Sequence, residues 1–259
     1  MDNFNQKKII GIIPSRYASS RFPGKPLADI AGKSMIQRVY ETAAAVFDNV
    51  WVATDDQRIY DAVSAFGGNA VMTSEEHPSG TDRCSEAVKK VSESTGETFD
   101  VVVNIQGDEP FIKPSQLTKI AALFDDEDTQ IGTLVQPITK SEDIFNPNIP
   151  KVVLAENGDA IYFSRSPIPY VRNVEEEKWM NHHTFFGHIG LYAYRTEVLH
   201  ALTQLKEGRL EKMESLEQLR WLEHSYRIRT DETNYDSFGI DTPEDLEKVM
   251  TEGIEKYLV

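Results

Sequence analysis

One cysteine, Cys84, is all that the chain carries, so an intramolecular disulfide is impossible and a cysteine-built zinc site has too few ligands. Apolar runs are short, and none approaches the ~18 residues that suggest a membrane span. Met1 to Lys8 is polar and enters the first apolar segment without the hydrophobic stretch of a secretory signal. Basic residues are also scarce, 27 Lys and Arg against 42 Asp and Glu, giving a formal net charge of −15. A nucleic-acid binder needs a basic face to displace phosphate counterions, and this balance argues against one. A small anionic ligand is still allowed, because a few placed cations suffice for a local positive pocket. What is present is 259 residues, 40% of them hydrophobic, enough for one large α/β domain with a sub-domain. A cytoplasmic enzyme is the expectation.

Through the first half, short apolar runs alternate with amphipathic stretches. Ile9–Pro14, Val50–Ala53, Ala70–Met72, Val101–Ile105 and Ile131–Val135 read as strands. Met35–Phe47, Gln57–Phe66, Arg83–Val91 and Ser115–Phe124 read as helices between them. That alternation predicts βαβ units in a doubly wound, mainly parallel sheet covered on both faces. The pattern changes near residue 140. Val152–Ala155 and Ile161–Phe163 flank an Asn157-Gly158 turn and predict a hairpin, and Ile189–Tyr194 is a further strand. Val171–His183 reads as a long polar loop. Residues from about 140 to 195 are therefore expected to form an inserted smaller sub-domain. Met213–Glu223 predicts a helix, and Thr242-Pro243-Glu244-Asp245 carries the capping signals of the last one.

Beyond the first strand, Arg16, Arg21 and Lys25 fall within ten residues of a small, polar loop. Ligands of open α/β sheets bind at the carboxyl ends of the strands, where this loop sits. Its backbone N–H groups and arginine forks suit phosphate oxygens, and Lys25 adds a point charge. The loop is not a Walker motif, since Pro26 follows Gly24-Lys25 where a hydroxyl is required. It is not a dinucleotide fingerprint either, because G-x-G-x-x-G is absent.

Asp108 lies where the apolar strand Val101–Ile105 runs out, at the same sheet edge. Asp241 stands directly before the capping Thr242. Magnesium commonly takes one or two carboxylates completed by phosphate and water, so both are candidate ligands. From the residues alone, Asp108 as a turn former and Asp241 as a capping acid are equally open. Asp126-Glu127-Asp128 superficially matches a D-x-D motif, but it follows a helix in a charge-dense linker and reads as a solvated loop.

The loop Arg16-Tyr17-Ala18-Ser19-Ser20-Arg21-Phe22-Pro23-Gly24-Lys25-Pro26-Leu27 resembles the signature of the sugar-acid cytidylyltransferase family, in particular its Kdo-activating members. Further strings continue the likeness in family order, from Ile9 to about Val249. They are Ala53-Thr54-Asp55-Asp56, His77-Pro78-Ser79-Gly80-Thr81-Asp82-Arg83, Asn104-Ile105-Gln106-Gly107-Asp108-Glu109-Pro110 and Phe163-Ser164-Arg165. His188-Ile189-Gly190-Leu191-Tyr192, Leu216-Glu217-Gln218-Leu219-Arg220 and Gly239-Ile240-Asp241-Thr242-Pro243-Glu244-Asp245-Leu246 complete the series.

The resemblance implies transfer of CMP from CTP to the anomeric 2-hydroxyl of Kdo (3-deoxy-manno-octulosonate), with release of pyrophosphate. It implies Mg2+ on Asp108 and Asp241, and catalytic roles for Arg16 and Lys25 beside them. It places Arg16, Arg21, Lys25, Ala53, Asp55, Ser79, Arg83 and Asp108 at the nucleotide. Gln106, Arg165, His188, Tyr192, Glu217 and Gln218 are assigned to the sugar. A homodimer is implied, with the middle sub-domain as its interface.

Overall fold

Strands and helices alternate from the first described element onward in the computed structural model, which describes residues 7–18, 21–235 and 238–258. Residues 1–6, and Ser19 and Ser20 of the basic loop, lie outside them. In chain order the elements begin with β1 (Ile9–Ser15), the short pair β2 (Asp29–Ile30) and β3 (Lys33–Ser34), α1 (Met35–Ala44), β4 (Asn49–Thr54) and α2 (Gln57–Ala65). Next come β5 (Ala70–Met72), α3 (Gly80–Thr95), β6 (Val101–Asn104), α4 (Pro114–Ala122), β7 (Ile131–Pro137) and α5 (Ser141–Ile144). They continue as β8 (Lys151–Leu154), β9 (Ala160–Ser164), β10 (Phe186–Arg195), α6 (Thr196–Leu202), α7 (Arg209–Glu214) and α8 (Gln218–Glu223). Last are β11 (Ile228–Glu232), α9 (Pro243–Glu252) and α10 (Glu255–Leu258).

The chain divides into two compact units, one of residues 1–118, 194–203 and 237–259, the other of residues 119–193 and 204–236. In the first, β1 lies between β4 and β6, parallel to both, and β4 is parallel to β5. Such strands are buried on both faces, which explains runs like Val101-Val102-Val103 with no polar alternation. Ile10, Ile12 and Ile13 of β1 are wholly buried, as are Met35, Ile36 and Val39 of α1. Each such side chain contributes about 1.5–3 kcal/mol relative to an exposed one. The helices start where hydroxyls and carboxylates can satisfy free N–H groups. Ser34 accepts from Gln37 N–H at 3.3 Å, and Asp56 from Arg58 N–H at 2.9 Å.

In the second unit β7 is parallel to β11 and neighbours β10, while β8 is antiparallel to β10 and to β9. The Asn157-Gly158 turn joins β8 to β9, with Gly158 at φ 83°. The α/β class and the mainly parallel strand order agree with expectation. Two local expectations do not hold. The segment 171–183 is not simply a polar loop: its 3-10 turn Glu176–Asn181 buries Trp179, which packs with Ile144 and Phe185. The expected helix Met213–Glu223 is broken, because Ser215 takes a left-handed conformation (φ 51°) and separates α7 from α8.

Candidate active site

β1 and β6 end side by side, with Ile12 opposite Asn104. The chain leaves β1 into the basic loop and β6 into Gln106-Gly107-Asp108. These segments line a cavity of roughly 350 Å³, bounded by Ser15, Arg16, Arg21, Lys25, Gln106 and Asp108, among others. Gly107 must be small here, since a Cβ would stand 3.0 Å from the Pro14 carbonyl oxygen. Gly24 adopts φ 73°, a left-handed turn that aims the following Lys25 back toward β6.

Lys25 Nζ donates to Asp108 Oδ2 at 2.8 Å and to Asp241 Oδ1 at 3.1 Å. Arg21 also reaches Asp241, at 3.2 Å. Asp241 arrives from far along the chain because Ile240 N–H donates to the Asp108 carbonyl at 2.9 Å. Ile240 is itself buried with Ile30, Met35, Phe111 and Val249. The capping duty that was open for Asp241 falls elsewhere. Thr242 accepts from Asp245 N–H, and the Asp245 carboxylate accepts from the N–H groups of Asp241 and Thr242. The Asp241 oxygens are left facing the cations. No group of three or more His, Cys, Asp or Glu side chains suited to a metal occurs among the described residues. Any ion here would therefore take two carboxylates and complete its shell from ligand and water.

Arg16 donates to the carbonyl of His77. The His77 ring is bonded to Glu86, which also accepts from Ser74 N–H at 2.8 Å. Partial burial raises the Glu86 pKa, but hydrogen bonds from Lys90, His77 and Ser74 N–H outweigh it and bring the group to about 2. Beside this cluster, the Arg58 guanidinium lies 3.3 Å from the centroid of the Tyr17 ring. Gly24 abuts the same ring, where an added Cβ would stand 3.1 Å from it.

The remaining nucleotide candidates sit deeper. Ala53 is buried in β4, opposite Pro14. Asp55 accepts from Arg83 Nη2 at 2.6 Å, and Arg83, wholly buried, also donates to Thr73 Oγ1 at 2.6 Å. The Arg83 guanidinium is thus occupied by Asp55 and Thr73 and has no exposed surface. Ser79 caps α3, accepting from Asp82 N–H at 3.2 Å and donating to the Asp82 carboxylate at 2.5 Å.

Arg165, His188, Tyr192, Glu217 and Gln218 belong to the second unit. The Arg165 guanidinium donates to the carbonyls of Glu214, Pro147 and Ser215. His188 Nε2 is 3.1 Å from Thr133 Oγ1, with its ring against Phe163 and Tyr192. Burial pushes His188 down to about 3, so its ring is neutral near pH 7 and serves hydroxyls better than a carboxylate. Tyr192 also packs edge-on against Trp221. Glu217 is the residue before α8 rather than a mid-helix residue, and Gln218, buried, begins it. Asp126 and Asp128 stay in their linker, where Asp126 accepts from Asp128 N–H and pairs with Arg229.

Sequence patterns assigned no role to His77, Glu86 or Arg58. His77 begins the stretch that runs to Arg83, but nothing in the spacing ties it to Glu86 or to Arg16.

Cations gathered at strand ends, with two carboxylates meeting on one of them, suit an enzyme that handles a phosphorylated substrate. In an α/β sheet of this order they mark the nucleotidyltransferase class. A family model described as cytidylyltransferase matches residues 10–249. The 3-deoxy-manno-octulosonate cytidylyltransferase of Parabacteroides distasonis is 59% identical, covering 94% of this chain and 97% of its own. That of Bacteroides thetaiotaomicron is 58% identical over 92% and 95%. A solved structure of CMP:2-keto-3-deoxy-manno-octonic acid synthetase complexed with CTP superposes with a TM-score of 0.88 at 44% identity, covering 96% of this chain and all of that one. The chain belongs to the cytidylyltransferase family. No helix among the described residues is long and apolar enough to cross a membrane.

Proposed function

We propose that this enzyme transfers CMP from CTP to the anomeric 2-hydroxyl of Kdo, forming CMP-Kdo for lipopolysaccharide synthesis and releasing pyrophosphate. The observation that carries it is the meeting of Lys25, Asp108 and Asp241 beside Arg16 and Arg21, in a chain so similar end to end to enzymes of that name. Kdo oxygen bonds to the α-phosphorus as the bond to the bridging oxygen breaks, so positioning and charge stabilisation are the main demands. Arg16, Arg21 and Lys25 supply that stabilisation along the triphosphate and on the departing pyrophosphate.

The donor set fits a magnesium ion. Two carboxylates already converge on one cation, the Lys25 ammonium, and both are hard oxygen donors open to solvent on one side. Asp108 and Asp241 would hold the ion, which when bound neutralises phosphate charge and makes the sugar hydroxyl more acidic. Ala53, Asp55, Ser79 and Arg83 are our candidates for the nucleotide side of the site. Gln106, Arg165, His188, Tyr192, Glu217 and Gln218 are our candidates for Kdo contacts. The enzyme acts in the cytoplasm as a homodimer, with residues of about 140–195 as the interface.

Pyrophosphate release is the direct test, with CTP plus Kdo or CTP plus N-acetylneuraminate, each with and without magnesium. Release with Kdo and magnesium only is expected. Turnover with N-acetylneuraminate alone overturns the substrate assignment.

A further inference from the structure

Three cations face the cavity, but their environments differ. Lys25 and Arg21 are paired with carboxylates. Arg16 has no acidic partner among the described residues, and its one anchor is a neutral acceptor, the His77 carbonyl. A neutral anchor fixes the direction of a guanidinium without neutralising it, so the full charge is left for a phosphate.

That anchor is useful only if the His77 carbonyl is itself fixed, and His77 lies in the segment between β5 and α3. Glu86, one turn and a half into α3, holds this segment at two points. One of its carboxylate oxygens accepts from Ser74 N–H at 2.8 Å and meets the His77 ring. Its other oxygen is 2.7 Å from Lys90 Nζ, and Lys90 in turn donates to the Met72 carbonyl at 2.9 Å. The segment is therefore tied to α3 at Met72, Ser74 and His77. Glu86 does not line the cavity.

We propose that Glu86 is a positioning residue for triphosphate binding, acting through His77 to hold Arg16 in the direction of the phosphates. It rests on the proposed reading of Arg16 as a triphosphate contact. A carboxylate at this position that only stabilised α3 would change folding stability without any special dependence on Arg16.

The test is a double-mutant cycle on CTP affinity, measured by titration calorimetry without Kdo, so no turnover is needed. Glu86→Ala and His77→Phe are each expected to weaken CTP binding by about tenfold, as for loss of one bond that orients a charged group. In an Arg16→Ala background the same substitutions are expected to change affinity by less than about twofold. Equal losses in both backgrounds, or unchanged affinity in the single variants, overturn the proposal. Should Glu86→Ala not fold, His77→Phe carries the same cycle, because it spares the Glu86 bonds to Ser74 and Lys90. A wild-type protein that binds no CTP overturns the assigned function, and this inference with it. CTP binding by the wild type with no coupling to Arg16 overturns the inference alone.

Discussion

Lys25 Nζ stands 2.8 Å from Asp108 Oδ2, with the lysine side chain only 12% exposed. The same nitrogen is 3.1 Å from Asp241 Oδ1, so one ammonium holds together two acids that are 133 positions apart in sequence. Without it, like charges would face each other over the cavity.

Lys25→Met and Asp108→Asn are accordingly expected to lower kcat for pyrophosphate release by at least ~100-fold, the scale of losing a preorganised charge at a reacting phosphate. Circular dichroism should report intact secondary structure in both, since neither side chain belongs to the core. Near-normal turnover in Asp108→Asn would remove that residue from the chemistry.

The crossing of Gly107 past Pro14 makes a second expectation. An added Cβ would stand 3.0 Å from a backbone oxygen that has no rotamer in which to escape. Gly107→Ala is expected to cost about 1–3 kcal/mol of stability, as overpacking does. It should also displace Gln106 and Asp108 from the β1 edge. Thermal unfolding and kcat are the measurements, and turnover should fall by more than the loss of folded protein explains.

Acid should expose His188. Its folded pKa is about 3 against an ordinary 6.5, so between these values the unfolded chain binds a proton that the folded chain refuses. The stabilising contribution is complete above pH 6.5 and is lost as pH falls toward 3, with a limiting slope of about 1.4 kcal/mol per pH unit. His200, lowered by burial and then by Lys89, acts with the same sign. Carboxylates such as Glu86 and Asp245, with pKa values depressed, keep their charge until lower pH. Urea midpoints between pH 5 and 6.5 should therefore fall more steeply for the wild type than for His188→Asn. Parallel slopes would show that His188 is not buried in neutral form.

Much of the first unit was legible because its signals are local. Apolar runs flanked by caps located β1, β4, β5 and β6 to within about a residue, and Thr242 with Asp245 forms the capping box that their spacing announces. α3 begins at Gly80 rather than Arg83, since Ser79 provides the cap. The break at Ser215 was hidden, because no Gly or Pro marks it and the apolar spacing runs through. Strand β11, with charged Arg229 and Asp231 alternating among buried residues, carried too little apolar content to stand out. Trp179 was masked by the polar residues around it.

For the site, composition and strand placement indicated the cations and Asp108. Asp241 was visible only as a residue beside a cap. Its convergence with Lys25 depends on the Ile240 hydrogen bond and on a buried apolar cluster, neither of which leaves a local pattern. The link from Glu86 through His77 to Arg16 is a tertiary fact of the same kind.

The contact of Arg58 with Tyr17 has a thermodynamic consequence. A Tyr17 already fastened to α2, whose carbonyl accepts from Gly24 N–H at 2.9 Å, surrenders its conformational entropy at folding rather than at ligand capture. Nucleotide association then carries a smaller ordering penalty. Its entropy should become more unfavourable in a chain that keeps the tyrosine but has lost the arginine that fastens it.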